Sequence, residues 1–123
     1  MKDINLEIIN NNTFEDIKHI DENENEYWAA RELMLALKYS KWENSKKVID
    51  KAIISCKSSN NDISEHFPDV RKVLEVGNKA KMIIDDYKLS RYACYLIAQN
   101  ADSRKKVVAL TQTYFAIQTR NLV

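Results

Sequence analysis

The feature that most constrains the fold is a single glycine, Gly77, in a chain of 123 residues. The segments on either side of it, residues 69–76 and 80–87, contain valine and isoleucine, which are favoured in β-strands. A glycine between two such runs can supply the backbone conformation of a tight turn. We therefore predict a β-hairpin with its tip at residues 77–79. A helix over residues 70–76 is the alternative.

The scarcity of glycine also limits the chemistry that the chain can perform. Phosphate-binding loops and dinucleotide-binding turns need several glycines for close backbone approach to the ligand. The two histidines, His19 and His66, have no zinc-binding partners at a usable spacing. Asp85 and Asp86 could together hold a divalent ion, but we interpret them as a salt-bridged or solvated pair at a strand end. We expect no cofactor, no metal and no enzymatic activity.

The rest of the hydrophobic pattern is mainly helical. Apolar residues recur at the three- and four-residue spacing of one helix face, as Leu33, Met34 and Leu37 do. The predicted helices cover residues 14–20, 29–37, 41–56, 63–67, 90–99 and 103–119, and a short strand covers residues 26–28. This pattern predicts an α+β fold, a helix-rich single domain with a small antiparallel β-hairpin or sheet.

Helix ends and buried faces can also be predicted from the pattern. Ser40, Ser90 and Asp102 each precede a predicted helix and are expected to be its N-cap. The inward stripes are expected to be Phe14, Ile17 and Ile20 in the first helix, and Val107, Leu110, Tyr114 and Ile117 in the last. Trp28 and Trp42 are interpreted as core anchors.

Length and composition favour one soluble domain. Residues 1–12 are expected to be a flexible acidic and polar lead, and residues 13–123 to be the domain. No apolar run approaches the roughly 20 residues that span a bilayer, so no membrane contact is expected. The N-terminus does not resemble a signal peptide, which favours a cytoplasmic location. Cys56 and Cys94 are therefore expected to be free, buried thiols.

The small net charge of +1 conceals an asymmetry along the chain. Residues 1–32 contain nine acidic and three basic residues, whereas residues 33–123 contain sixteen basic and nine acidic ones. The acidic segment is expected either to fold back over the basic body or to remain solvated. The sequence pI of about 7.7 permits a local basic patch without demanding one.

Residues 85–120 interleave aromatic side chains with basic ones. Basic groups bind phosphate and aromatic faces stack on unpaired bases, so the mixture is compatible with nucleic-acid binding. The alternative is that the aromatic residues are core and the charges form a solvated face. Further cations lie on the helix over 41–56, at the hairpin tip and at the start of the last helix. The candidate nucleic-acid contacts are Lys46, Lys47, Lys51, Arg71, Lys72, Lys79, Lys81, Arg91, Arg104, Lys105 and Lys106.

Several long motifs resemble one known family. They read FEDIKHID at residues 14–21, EYWAARELMLAL at 26–37, SKWEN at 40–44, DYKLSRYACYLIAQNADSRK at 86–105 and QTYFAIQTR at 112–120. They resemble the N-terminal domain of the bacterial DNA-damage-inducible protein D group, which is related to the BRO-N domains of phage antirepressors. Glu24 replaces part of the family's Asn-Gly and Lys38 replaces a glycine, so both turns are expected to be looser or differently shaped.

The resemblance implies two functions. One is a non-enzymatic, nucleic-acid-binding regulatory domain of an SOS-type damage response, with DNA as the partner. The other is a protein-interaction module, an antirepressor or recombinase modulator that acts through the acidic segment 15–32 or an aromatic surface. Family members are usually about twice as long, so the chain is expected to be the N-terminal domain without the usual C-terminal region. A homodimer through the C-terminal helix is a further expectation.

Overall fold

The computed structural model describes residues 12–121, in which helices pack on a small antiparallel sheet. The helices are α1 (Asn12–Asp16), α2 (Ala30–Ala36), α3 (Trp42–Ser58), α4 (Ile63–His66), α5 (Arg91–Asn100) and α6 (Lys106–Asn121). The strands are β1 (His19–Ile20), β2 (Glu26–Ala29), β3 (Asp69–Val76) and β4 (Ala80–Leu89). The predicted α+β class is confirmed. Residues 1–11 of the predicted lead and residues 122–123 lie outside the described part.

The long strand β4 organises the sheet. Within residues 12–121 the strand order is β1-β2-β4-β3, and every pair is antiparallel. The outer part of β4 pairs with the whole of β3, from Val76 opposite Ala80 to Asp69 opposite Tyr87. Its last two residues pair with β2, where Leu89 lies opposite Trp28. The predicted hairpin is therefore confirmed, and its inner end joins a wider sheet.

The turn of this hairpin explains the position of the glycine. Gly77, Asn78 and Lys79 all have positive φ, at 45°, 47° and 62°, and the amide of Ala80 donates to the carbonyl of Gly77 at 2.9 Å. A Cβ on Gly77 would meet no atom within 4 Å. The backbone conformation, rather than lack of space, therefore favours glycine here.

The core lies between the sheet and the helices. The ring of Phe14 stacks on Trp28 with centroids 4.4 Å apart, and the Trp28 indole donates to the Phe14 carbonyl at 2.8 Å. Trp28 is fully buried, as expected of a core anchor, whereas Trp42 is half-buried. Cys56 and Cys94 are free and buried, and burial raises the pKa of the Cys94 thiol well above its usual value. Helices α3 and α5 pack side by side within this core.

The first helix is shorter than predicted. It ends at Asp16, and Ile20, which was expected to face the core, lies in β1 with 58% of its surface exposed. The cause is the turn that follows, because the amide of Asp21 donates to the carbonyl of Asn25 at 2.9 Å and returns the chain along β2. The segment therefore pairs as a strand instead of continuing as a helix.

Two of the three predicted caps are wrong. Ser90 does cap α5, accepting from the Ala93 amide at 3.0 Å. The N-cap of α3 is Lys41 rather than Ser40, and its carbonyl accepts the first amides of the helix. Asp102 instead accepts from the amide of Arg104 at 3.0 Å in a turn, so that α6 begins only at Lys106.

The buried face of α6 is rotated from the predicted one by about one residue. Val108, Thr111 and Phe115 are buried, together with the predicted Tyr114. The predicted residues Val107, Leu110 and Ile117 are only half-buried. The difference follows from Phe115, whose ring packs edge-on against Phe14 and Tyr95 and so sets the rotation of the helix.

The two positions that differ from the family's turn residues both adopt the left-handed conformation. Glu24 has φ 64° and Lys38 has φ 68°. At the end of α2, the amide of Tyr39 donates to the carbonyl of Met34 at 2.8 Å and that of Lys38 to Leu35 at 3.0 Å. These two bonds form a Schellman motif, in which glycine is the preferred residue at the position of Lys38.

Replacing Lys38 by glycine is therefore expected to raise the free energy of unfolding by about 1 kcal/mol, because the strain of a left-handed side chain is removed. Urea denaturation measures the change. The control is Lys47→Gly in the interior of α3, which is expected to lower the same free energy by about 1 kcal/mol. A loss of stability in Lys38→Gly would show that the side chain contributes more than its strain costs.

Candidate nucleic-acid interface

The outer part of the β3–β4 hairpin, residues 71–83, extends away from the body and is called the ribbon below. Every one of its residues is exposed. Cross-strand partners share a face of a sheet, so the register assigns the ribbon side chains to two faces. One face carries Lys72, Leu74, Val76, Ala80 and Met82. The other carries Arg71, Val73, Glu75, Lys81 and Ile83, and Lys79 lies at the tip.

The base of the ribbon is fixed by Asp86, a fully buried carboxylate on β4. Its Oδ1 accepts hydrogen bonds from the amides of Arg31 at 3.0 Å and Tyr87 at 2.8 Å. Ala29, the N-cap of α2, has no side chain that could cap the helix, so Asp86 performs this task from another element. The same carboxylate therefore connects the ribbon to the first turn of α2.

Lys72, a predicted nucleic-acid contact, balances this buried charge. Its Nζ lies 2.9 Å from Asp86 Oδ2, although that oxygen accepts no hydrogen bond of regular geometry among the described residues. We regard the contact as a true ion pair, because an isolated carboxylate is costly to bury. Lys72 thus points toward the body, while its neighbour Arg71 lies 3.9 Å from the exposed Asp85.

Arg31, which lay outside the sequence prediction, stands beside the ribbon. Its Nε donates to the carbonyl of Asp85 at 2.7 Å, and its guanidinium lies 4.1 Å from the centre of the Trp42 ring. Lys46 makes a similar contact, donating to the Tyr87 hydroxyl with its Nζ 4.9 Å from that ring. Cations and aromatic rings therefore alternate where α2, α3 and the ribbon meet.

The other predicted cations of α3 face solvent. Lys47 and Lys51 are exposed and lie four residues apart, on the same side of the helix. Lys46 is half-buried against β4 and also pairs with Asp50 at 3.3 Å. The predicted lysine face of α3 therefore consists of one anchored and two projecting side chains.

A second basic cluster lies at the start of α6. Arg104 is largely exposed and makes two bonds to Asp102 at 3.0 Å. Lys105 donates to the carbonyl of Lys38 at 3.1 Å and lies 4.9 Å from the Tyr39 ring. Lys38, Lys105 and Lys106 border an open depression of about 430 Å³. We call Lys38 and residues 104–106 the α6 cluster.

A shallow cleft connects the two basic regions. It has a volume of about 130 Å³ and is lined in part by Arg31, Leu35, Tyr39 and Trp42. Arg31 and Lys38 lie at opposite ends of α2, which separates them by roughly 10 Å along the helix. Arg31 is the one charged residue among the described residues that line this cleft, and the ring of Tyr39 lies both in the cleft and against Lys105 of the α6 cluster.

Arg91, another predicted nucleic-acid contact, is bound by two carboxylates of this chain. Its guanidinium makes bonds of 2.8 and 3.0 Å to Glu26 and of 3.1 and 3.3 Å to Glu15. These bonds raise the pKa of Arg91, the bonds to Glu26 most of all, and hydrogen bonding to Arg91 lowers the pKa of Glu26. The guanidinium also lies 5.1 Å from the centre of the Trp28 ring. Arg91 therefore fastens the N-terminal segment to α5.

The described part of the acidic segment, residues 12–32, folds back over the basic body, which was one of the two expected outcomes. Besides the contacts to Arg91, Asp21 pairs with Lys88 at 3.0 Å. Within the segment itself, Glu32 Oε1 lies 2.6 Å from His19 Nε2. Tyr114 donates to Glu15, and burial followed by this hydrogen bond raises the pKa of Tyr114 to about 12. Much of the acidic charge is thus used in internal ion pairs.

The sequence signals for this surface were partial. The ribbon and the α6 cluster were found from charge and glycine placement, whereas the roles of Arg31, Trp42 and Asp86 were missed. The signal available in the sequence was the four-residue spacing of Arg31 and Leu35, which places both side chains on one face of a helix. In the described part of the chain, no group of three or more metal-binding side chains occurs and no helix is long and apolar enough to cross a membrane.

Comparisons with known proteins agree with the resemblance of the motifs. A family model described as the BRO family, N-terminal domain, matches residues 16–116. The chain is 45% identical over 107 residues to DNA damage-inducible protein D of Escherichia coli (strain K12). That match covers 87% of this chain and 39% of the relative, so the chain spans well under half of the relative's length. No solved structure matches.

Proposed function

The chain belongs to the BRO family, whose N-terminal domain it contains, and from this premise we propose that it is a non-enzymatic, nucleic-acid-binding regulatory domain. The name of the Escherichia coli relative supports a place in the response to DNA damage. DNA is the proposed partner, and contacts to its phosphates supply most of the affinity.

The ribbon is the observation that carries the proposal. An exposed two-stranded ribbon has the dimensions to enter a groove of duplex DNA. Arg71 and Lys81 lie on one face of the ribbon and Lys79 at its tip, where phosphates can approach them. The stem is held by the buried Asp86, so these cations are presented on a fixed arm.

Helices α2 and α3 support the same proposal. They are consecutive and are joined by a short turn over residues 37–41. In helix-turn-helix proteins the second helix lies in the major groove. Lys47 and Lys51 project from the exposed side of α3, and Lys46 joins α3 to the base of the ribbon. A duplex that contacts α3 is therefore within reach of the ribbon.

The proposal assigns different tasks to the predicted cations. Phosphate contact is proposed for the exposed predicted contacts other than Lys72, and for the half-buried Lys105 and Arg31. A positioning task is proposed for Lys46, Lys72 and Arg91, which bind partners inside the protein. The proposed phosphate contacts are Arg71, Lys79, Lys81, Lys47, Lys51, Arg104, Lys105 and Lys106, with Arg31 added from the structure.

Anisotropy of labelled single- and double-stranded DNA, titrated at several salt concentrations, tests the proposal. The nine proposed phosphate contacts together give a slope of roughly −8 in log affinity for duplex DNA against log salt. In Lys81→Ala the slope is expected to be less steep by about one, and the affinity for DNA to be about tenfold lower at 0.1 M salt. Lys57→Ala, which removes an exposed lysine at the far end of α3, is the control and should change neither value.

A second variant tests the α6 cluster. The double charge reversal Arg104→Glu with Lys105→Glu is expected to weaken DNA binding more than Lys81→Ala does. Absence of binding to either form of DNA at low salt would contradict the proposal. A salt-independent affinity would contradict phosphate contact as its basis.

One observation favours a protein-interaction module as the second candidate. Leu74, Val76 and Met82 form an apolar strip along one face of the ribbon, and each has 44–52% of its surface exposed. A purely phosphate-binding arm has no need of such a strip, whereas a repressor or recombinase partner could bury it. Leu74→Ser with Met82→Ser would then abolish the partner's binding and leave DNA affinity unchanged. Self-association through α6 remains a prediction that sedimentation tests.

A further inference from the structure

A pocket of about 330 Å³ opens on the sheet at the base of the ribbon. It lies on the face of the sheet that carries the side chains of Lys72, Asp86 and Lys88, with Val70 opposite Asp86 in the register. Its lining includes His19, Tyr27, Val70, Lys72, Asp86 and Lys88. The volume lies at the lower end of the range of small-ligand sites, about 300–1,000 Å³.

The floor of this pocket presents an acceptor beside a donor. Asp86 is fully buried and its Oδ1 is used by two backbone amides, but Oδ2 accepts no regular hydrogen bond among the described residues. The ammonium of Lys72 lies 2.9 Å from Oδ2, on a side chain that is 43% exposed and so can move aside. A ligand edge with one N–H donor next to one acceptor can bind both groups.

The walls of the pocket are aromatic and aliphatic. The His19 ring stacks on Tyr27 with centroids 5.1 Å apart, and Lys88 Nζ lies 4.6 Å from the centre of the Tyr27 ring. Val70 supplies an apolar surface. The ammonium groups of the pocket already have carboxylate partners, since Lys72 pairs with Asp86 and Lys88 with Asp21. A bare phosphate therefore gains little, whereas a flat polar ring suits the site.

We propose that this pocket binds a single unpaired nucleobase, an inference that rests on the proposed nucleic-acid binding. Every base carries a donor beside an acceptor on its Watson–Crick edge, which Asp86 and Lys72 can bind together. The ring lies against the wall formed by His19 and Tyr27. In duplex DNA the same edge is occupied by the opposite strand, so the pocket selects unpaired bases, from single strands or from free nucleotides.

Three variants of the whole chain test the pocket. Val70→Phe fills it, Tyr27→Leu removes an aromatic wall and Tyr27→Phe retains that wall. Stacking of a base is worth about 1–3 kcal/mol, so a labelled single-stranded 12-mer should bind at least about fivefold more weakly to Val70→Phe and Tyr27→Leu. The 12-mer should bind to Tyr27→Phe with unchanged affinity. The matched duplex should bind to all three variants with unchanged affinity. Thermal unfolding verifies that each variant is folded.

Deoxycytidine monophosphate, titrated while amide chemical shifts are recorded, distinguishes the source of the base. If the pocket accepts any unpaired base, the amide shifts of Tyr27, Val70 and Lys88 are expected to change with both the free nucleotide and the 12-mer. Changes with only one of these two ligands identify that ligand as the source of the base. Duplex binding without either set of shifts would overturn the pocket and leave the proposed function intact. Failure of every nucleic acid to bind would overturn both. A folded Val70→Phe variant with unchanged single-strand affinity would also overturn the pocket.

Discussion

Replacement of Asp86 by alanine is expected to lower the free energy of unfolding by about 3 kcal/mol. The amides of Arg31 and Tyr87 would lose their acceptor in a buried site, and each unsatisfied group is costly. Lys72 would lose its partner, but the cost of that loss is small because its side chain is partly exposed to water. Urea denaturation measures the change.

The neighbouring Asp85 provides a matched control. Its side chain is 71% exposed and its ion pair with Arg71 spans 3.9 Å. Asp85→Ala is therefore expected to change the free energy of unfolding by less than about 0.5 kcal/mol. Equal effects of the two substitutions would contradict the assignment of Asp86 as the group that joins the ribbon to α2.

The Asp86 variant also bears on DNA binding. Loss of the cap at α2 and of the ion pair to Lys72 would free the base of the ribbon while leaving its exposed cations in place. Affinity for DNA is then expected to fall although no proposed phosphate contact has been removed. The result would show that presentation of the ribbon, and not only its charge, contributes to binding.

Replacement of Arg91 by methionine is expected to lower the free energy of unfolding at neutral pH by about 2–3 kcal/mol, a value reduced for the partial exposure of the ion pairs. Glu15 and Glu26 would lose the nearer of their two common partners among the described residues, close to the Phe14–Trp28 stack. The common partner that remains, Lys18, lies 3.8 Å from each carboxylate. Methionine retains much of the arginine's volume, so packing changes little. The loss therefore reports the ionic contacts.

The effect of Arg91→Met is expected to depend on pH. Hydrogen bonding to Arg91 lowers the pKa of Glu26. Burial acts to raise the pKa of Glu15, but the hydrogen bonds of Glu15 with Arg91 and Tyr114 together outweigh it, so that this pKa is lowered as well. Groups with lowered folded pKa values stabilise the protein above their unfolded pKa, near 4.5. That stabilisation disappears as the pH falls below this value through the lowered folded pKa values. Urea denaturation between pH 3 and pH 7 should show the two proteins converging in acid.

Arg104→Met is the control for Arg91→Met. Arg104 is exposed and its partner Asp102 lies two residues away, so that much of the contact can persist in the unfolded chain. Its loss should therefore change the stability and its pH dependence far less than the loss of Arg91 does, although Arg104 lowers the pKa of Asp102. The DNA affinities of the two variants are expected to show the reverse pattern. Affinity should fall in Arg104→Met and remain unchanged in Arg91→Met. A fall in DNA affinity of a folded Arg91→Met variant would return Arg91 to the proposed interface.

Local sequence information sufficed for much of the fold. Gly77 between two β-forming runs predicted the hairpin, because only a few residues adopt positive φ cheaply. Helix periodicity identified α2, α3 and α5, since burial of one face repeats every three to four residues. The errors at Ile20 and on α6 arose where the partner surface, rather than the helix itself, selects the buried side.

The candidate site was only half visible in the sequence. Clusters of lysine and arginine near Lys81 and Arg104 stand out in the sequence, because neighbours along the chain are neighbours on the surface. The sequence alone does not distinguish a cation that faces solvent from one bound to a distant carboxylate. Lys72 and Arg91 are of the second kind, and their partners lie 14 and 65 or more residues away along the chain.

The sequence by itself determined the family, the hairpin with its tip at Gly77, and the helices α2, α3 and α5, since each rests on local preference or on a long motif. Only the tertiary structure decided which charges are free, because an ion pair depends on where two distant segments meet. It also decided the role of Asp86, whose burial follows from the packing of β4 against the first turn of α2. The pocket between the ribbon and β1 has the same origin, since β1, β2, β3 and β4 all contribute to its lining, and the lining residues of the first two strands lie more than 40 positions before those of the last two.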